Sequence, residues 1–167
     1  MKKIHFSHLS IPFACFSIFF FSSCEPTVDA EVGDPIVLDT NLLKSHSLFN
    51  SGMEERSRTQ ANVFEIVEVV REDNELRISL KGGNEVDDFQ VIWDGKILLT
   101  YPGIINFLVV YNGQDINFDP NSEFVISVNL DKVTPEYGDS HQFIVNVLNG
   151  SKIAKTVLDP NGTSTHE

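Results

Sequence analysis

The clearest pattern in the chain is an alternation of apolar and polar residues that begins near Asn62. In the run ELRISL, Leu76, Ile78 and Leu80 share one side of an extended strand, and polar residues occupy the other side. A period of two is typical of a strand with one face on a core and one in water. Similar runs predict seven or eight strands: NVFEIVEVV, ELRISL, DDFQVIW, KILLT, IINFLVVY, EFVISVNL, HQFIVNVLN and KIAKTVL. Those after ELRISL are predicted to bury Phe89, Val91, Trp93, Phe124, Ile126, Val128, Leu130, Phe143, Val145 and Val147.

Turn residues separate these runs. REDN joins the first two runs into a predicted hairpin, and Asp94-Gly95 predicts another, because both residues tolerate the positive φ of a type I′ turn. Pro102-Gly103 and Asn149-Gly150 mark later turns, and a helical period is indicated only for one turn near 131–137. We therefore predict an all-β fold, an antiparallel two-sheet β-sandwich of immunoglobulin-like or jelly-roll type. A small barrel is the alternative.

The N-terminal residues follow a different pattern. Lys2 and Lys3 precede IPFACFSIFFF, residues 11–21, and no acidic or basic residue follows before Glu25. A helix of this length would span about 17 Å, well short of the roughly 30 Å of a bilayer's hydrocarbon core. The pattern favours a secretory signal peptide over a membrane-spanning helix or a core helix.

The end of that apolar run carries a family signature. Phe21, Ser22 and Ser23 place a bulky apolar residue and two small ones directly before Cys24, which resembles the lipobox of bacterial lipoproteins. The resemblance implies that the chain is cut before Cys24 and that this thiol carries a diacylglycerol. It also implies an exported protein, lipid-anchored to the outer membrane of a Gram-negative bacterium, on its periplasmic face or at the cell surface. An ordinary signal peptide with a stray cysteine is the alternative.

The expected organisation follows from this cut. Residues 1–23 are the signal peptide, 24–33 a flexible polar tether, and 34–167 a single β-sandwich domain with a loop near 51–61. Without Lys2 and Lys3, ten basic residues stand against 24 acidic ones, a formal charge of −14. Such a balance repels nucleic acid and disfavours electrostatic attachment to anionic lipids. The membrane contact expected is the lipid on Cys24.

A second resemblance covers the middle of the chain. GGNEVDDFQVIWDG, residues 82–95, together with the later Pro102 and INFLVVY, is similar to small uncharacterised β-sandwich lipoproteins of Gram-negative bacteria. It implies a fold and no activity. Asn84 and Asp87 stand where that pattern has a cysteine and a histidine, so no metal or disulfide role carries over to them.

The sequence contains no recognisable catalytic or metal-binding motif. His46, His141 and His166 lack metal-ligand spacing, and no GxSxG sequence occurs. Asp87 and Asp88 would point to opposite faces of a strand, where a solvated role is favoured over a pair of catalytic acids. We predict no catalytic residues and no cofactor, apart from a Ca²⁺ hypothesis for the segment DINFDPNSE.

In that segment Asp115, Asn117, Asp119 and Asn121 recur at every second position. Oxygen ligands at this spacing can converge on Ca²⁺ when the chain curls. Pro120 occupies the place where an EF-hand loop requires glycine, so an ordinary solvated loop is the favoured interpretation.

Aromatic residues indicate where a ligand could bind. Trp93 shares a face with Phe89 and Val91 and is predicted to be core, whereas Tyr101 and Tyr137 are placed for exposure. The function predicted is a non-catalytic binding or assembly module, with an envelope protein or a glycan as partner. A carbohydrate-binding accessory lipoprotein is the alternative, and a hydrolase comes third.

Overall fold

The computed structural model describes residues 34–58, 62–135 and 142–167, which belong to one compact unit. The predicted signal peptide, Cys24 and the tether lie outside these residues. Within the described ranges, no helix has the length and apolar character needed to cross a bilayer.

Ten strands and one helix make up the described chain. Their bounds are β1 Ile36–Asp39, β2 Leu42–Lys44, α1 His46–Glu55, β3 Glu65–Glu72, β4 Glu75–Gly83, β5 Phe89–Leu98, β6 Gly103–Tyr111, β7 Asp119–Asn129, β8 Phe143–Asn149, β9 Lys155–Leu158 and β10 Ser164–His166. Short 3₁₀ turns cover Val86–Asp88, Asp115–Asn117 and Leu130–Lys132. The last of these overlaps only the start of the range 131–137, where the sequence predicts one helical turn.

The strands form two sheets, as an all-β two-sheet fold requires. One sheet has seven strands in the order β1-β2-β5-β6-β8-β9-β10, and the other has three in the order β3-β4-β7. The expectation of purely antiparallel pairing is wrong at two places, because β2 runs parallel to β5 and β6 parallel to β8. Strand β7 explains the second pair: it carries the chain back through the smaller sheet, so β8 starts at the same end as β6.

The core between the sheets follows the predicted alternation. Leu76, Ile78 and Leu80 of β4 are buried, as are Phe89, Val91 and Trp93 of β5. The inward residues of β7 and β8 are also buried or partly buried in this cluster: Phe124, Ile126, Val128, Phe143, Val145 and Val147. The predicted hairpin of β3 and β4 is confirmed by their antiparallel register across Asp73-Asn74.

Asp94-Gly95 is not the predicted hairpin turn. Strand β5 continues through it to Leu98, and the register shifts between Trp93 and Ile97. Three residues of β5 there stand opposite one residue of β6, which is a β-bulge. Gly95 has a φ of +82°, and Lys96 N donates to Asp94 Oδ1 at 2.9 Å. Of the two residues, only Gly95 has the positive φ that the predicted turn required of both, and it has it inside a strand.

The loop predicted near 51–61 is partly wrong, because its first five residues belong to α1. The Ser45 hydroxyl caps this helix by accepting from Leu48 N at 3.3 Å. Phe49 of α1 packs on Ile92, Leu108 and Leu148, which lie on the outer face of the larger sheet. The molecule therefore has a third layer beside its two sheets.

Candidate functional site

The most exposed apolar segment of the described chain joins β5 to β6. We call residues Leu98–Pro102 the hairpin tip. Leu98 pairs with Ile104, and Thr100 Oγ1 donates to Pro102 O at 2.6 Å, so the backbone of the turn is held locally. The peptide bond between Tyr101 and Pro102 is cis.

Four of the five residues of the hairpin tip, all except Pro102, are exposed to solvent. Leu99 is 81% exposed and Tyr101 102% exposed, while Leu98 is 47% exposed. Isolated apolar residues at a protein surface are common, but neighbouring ones indicate a contact surface. The predicted exposure of Tyr101 is thus confirmed. Tyr137, the second tyrosine predicted for ligand binding, lies outside the described residues.

The exposure of Leu98 and Leu99 was not predicted, although the sequence carries a signal for it. The segment 95–114 contains a single charged residue, Lys96, in a chain of formal charge −12. An apolar turn without acids is unusual in such a chain, because a solvated turn gains from polar residues. The hairpin tip is therefore an uncharged patch on an acidic protein.

The chain enters the domain at the same end of the larger sheet. Ile36 pairs with Lys44, and Lys44 pairs with Trp93. Because β2 is parallel to β5 and β1 is antiparallel to β2, residues before Ile36 lead towards the end that carries the hairpin tip. Ile36 and Val37 are themselves 55% and 71% exposed.

The candidate Ca²⁺ residues lie around the start of β7. Asp115 and Asn117 bound a 3₁₀ turn, and the Asp119 carboxylate accepts from Asn121 N at 2.9 Å and from Ser122 Oγ at 3.1 Å. These two hydrogen bonds, the backbone one first, hold the pKa of Asp119 below its ordinary value. The described residues contain no cluster of three or more acidic, histidine or cysteine side chains suited to a metal ion. Binding of Ca²⁺ by this mixed set of acids and amides stays a prediction.

The acids before β5 are placed differently from the prediction. Asp87 and Asp88 lie in the 3₁₀ turn Val86–Asp88 rather than on opposite faces of a strand. Asp88 Oδ2 accepts from Glu85 N at 3.3 Å, so this carboxylate fixes the turn. Of the histidines, His46 bonds Asn50 within α1, and His166 Nδ1 bonds Thr156 Oγ1 between β10 and β9.

A cleft of about 350 Å³ lies between β3 and the C-terminal strands. Two ion pairs occupy its walls, Lys155–Glu167 at 2.9 Å and Lys152–Glu65 at 3.2 Å. Each of these four charges is already paired with an opposite charge. The cleft is therefore a weaker candidate for a binding site than the exposed, uncharged hairpin tip. No protein-family model matches the chain, and no curated protein or solved structure shows significant similarity to it.

Proposed function

We propose that this chain is a lipid-anchored envelope protein of a Gram-negative bacterium, whose β body is a non-catalytic binding or assembly module. The anchor would be a diacylglycerol on Cys24, exposed as the new N-terminus when the signal peptide is removed. Its support is the order of the sequence: Lys2 and Lys3, an uncharged apolar run, and then FSSC. The proposed site of anchoring is the outer membrane.

The observation that carries the binding role is the exposure of the hairpin tip. Leu99 and Tyr101 are almost fully in water, although β6 buries Leu108 and partly buries Tyr111. Removing such side chains from water is favourable, by about 25 cal/mol per Å² of apolar surface. Tyrosine is also enriched where proteins make contacts, because its ring is apolar and its hydroxyl polar. The hairpin tip is therefore the proposed contact surface.

A carbohydrate-binding role is the second candidate, and the exposed ring of Tyr101 is the observation that favours it. A planar side chain can stack on the apolar face of a sugar. Sugar recognition also needs hydrogen-bonding groups beside the ring, and the Thr100 hydroxyl already donates to Pro102 O. Retardation of the protein in gels containing polysaccharide, lost on Tyr101→Ser, would favour this candidate.

We also propose that the β body is a sandwich of immunoglobulin-like or jelly-roll type, as expected from the sequence. Its support is the three-stranded sheet β3-β4-β7 packed on a larger sheet across one core. The parallel pairs β2–β5 and β6–β8 are a departure from the antiparallel pairing of both types.

Mass spectrometry of the protein isolated from producing cells tests the anchor. The expected N-terminal residue is Cys24, carrying the mass of a diacylglyceryl group. Cys15→Ser is the matched control and should leave the mature mass unchanged, because Cys15 lies in the segment that is removed. A free thiol on Cys24, or a mature N-terminus elsewhere, would overturn the proposal.

A further inference from the structure

If the proposed anchor is correct, the direction in which the chain enters the domain places the bilayer near the hairpin tip. Residues 25–33 join Cys24 to the first described residue, Asp34. The ten steps between consecutive Cα atoms from Cys24 to Asp34 can span at most about 35 Å. A lipid on Cys24 therefore keeps the bilayer within that distance of Asp34.

The hairpin tip lies at this end of the larger sheet. Ile36, Lys44, Trp93 and Phe107 are paired side by side across β1, β2, β5 and β6 and form one row. Three more residues of β6, Asn106 to Ile104, separate this row from the hairpin tip. Three residues of strand correspond to about 10 Å. The hairpin thus extends beyond that row on the side from which the chain enters.

The chemistry of the hairpin tip suits a lipid surface. Its exposed apolar side chains are those of Leu98, Leu99 and Tyr101, and Thr100 is exposed between them. Tyrosine favours the boundary between headgroups and acyl chains. Lys96, the only charged residue between 95 and 114, lies two residues before the hairpin tip, and a long lysine side chain can reach a lipid phosphate from such a position. The acidic composition of the whole chain disfavours general electrostatic adsorption but does not oppose insertion of an uncharged turn.

We propose that the hairpin tip rests in the surface of the bilayer to which Cys24 is anchored. This inference rests on the proposed lipid anchor and names the partner of the proposed contact surface. The tether keeps the lipid surface at a high effective concentration, so a small apolar contact is sufficient. The domain then stands on the membrane with the opposite ends of β5 and β6 directed outward.

A fluorescence experiment on the full-length, processed protein tests this orientation. Tyr101→Trp places an indole on the hairpin tip, and Asn112→Trp places the same probe just beyond the other end of β6. Both proteins, and the unaltered protein with its buried Trp93, are reconstituted into phosphatidylcholine vesicles with and without bromine on the acyl chains. The Tyr101→Trp protein should emit about twofold less from brominated vesicles, because bromine quenches an indole at the boundary of the acyl chains.

The controls separate this inference from the proposed function. The Asn112→Trp protein and the unaltered protein should emit equally from both kinds of vesicle. Adding Leu98→Ser and Leu99→Ser to Tyr101→Trp should restore emission, and circular dichroism checks that the fold is retained. Equal emission from the Tyr101→Trp protein with an acylated Cys24 overturns the inference alone and assigns the hairpin tip to a protein or glycan partner. A mass showing unmodified Cys24 overturns the proposed anchor and the inference with it.

Discussion

At the scale of single residues, Glu75 shows how a surface hydrogen bond creates pH dependence. Ser127 Oγ donates to Glu75 Oε1 at 2.6 Å, and Arg77 lies nearby, with Nε at 3.5 Å. The hydrogen bond from Ser127, followed by the charge of Arg77, lowers the pKa of Glu75 from its ordinary value of 4.5. The stabilisation is therefore complete above that value. It is lost as the pH falls through the lower pKa of the folded state.

Ser127→Ala should raise the pKa of Glu75 towards 4.5, measured by NMR titration of the side-chain carboxyl carbon. Ser122→Ala is the matched control, because Ser122 donates to Asp119 instead. It should raise the pKa of Asp119 and leave Glu75 unchanged. Identical titration of Glu75 with and without Ser127 would show that this hydrogen bond does not persist in solution.

Asn149 shows what residue patterns do not reveal. In the sequence, Asn149-Gly150 is a turn dipeptide, and a turn does begin at Gly150. The Asn149 side chain is nevertheless buried, donates to Phe64 O at 2.8 Å and accepts from Ser151 N at 2.8 Å. It thereby links β8 of the larger sheet to the residue before β3 of the smaller one. Local composition predicts the turn, but the partner 85 positions away depends on the tertiary fold.

At the scale of elements, α1 is the part of the fold that the sequence indicated least. Its ten residues begin after the Ser45 cap but contain Gly52 and only a narrow apolar face. A flexible loop was therefore predicted over its second half. The stability of such a helix comes from packing on the outer face of β5, β6 and β8, which the pattern of one short segment cannot show. The bulge at Asp94-Gly95 has a similar cause, because a hairpin turn and a bulge can both require a positive φ.

Phe49→Ala should detach α1 without disrupting the core between the sheets. Phe49 is 7% exposed and fills the contact with Ile92, Leu108 and Leu148. We expect a loss of about 3 kcal/mol in the free energy of unfolding, from lost burial and the cavity left behind. Amide exchange should rise within His46–Glu55 more than within β4 or β7. Leu48→Ala, at a residue 39% exposed, is the control and should cost less than about 1 kcal/mol.

At the scale of the whole molecule, alternation predicted which residues face the core but not which strands are neighbours. A period of two assigns each residue to a face, and that assignment is confirmed for β4, β5, β7 and β8. Neighbours depend on where the chain crosses between sheets, as β7 does between β6 and β8. The contact surface was only partly predictable for the same reason. Tyr101 was recognised as exposed, but its position beside the chain entry emerges only from the registers of β1, β2 and β5.

The proposed orientation on the membrane depends on the length of the segment between Cys24 and Asp34. Inserting about 20 Gly and Ser residues after Gly33 roughly triples this length and should lower the effective concentration of lipid at the hairpin tip about fivefold. Quenching of the Tyr101→Trp protein by brominated lipid should decline accordingly, while acylation of Cys24 is unchanged. The same insert placed after Glu167 is the control, because it lengthens the chain without moving the domain from its anchor. Undiminished quenching with the longer tether would mean that the hairpin tip holds the lipid by its own affinity, so that the anchor does not set the orientation.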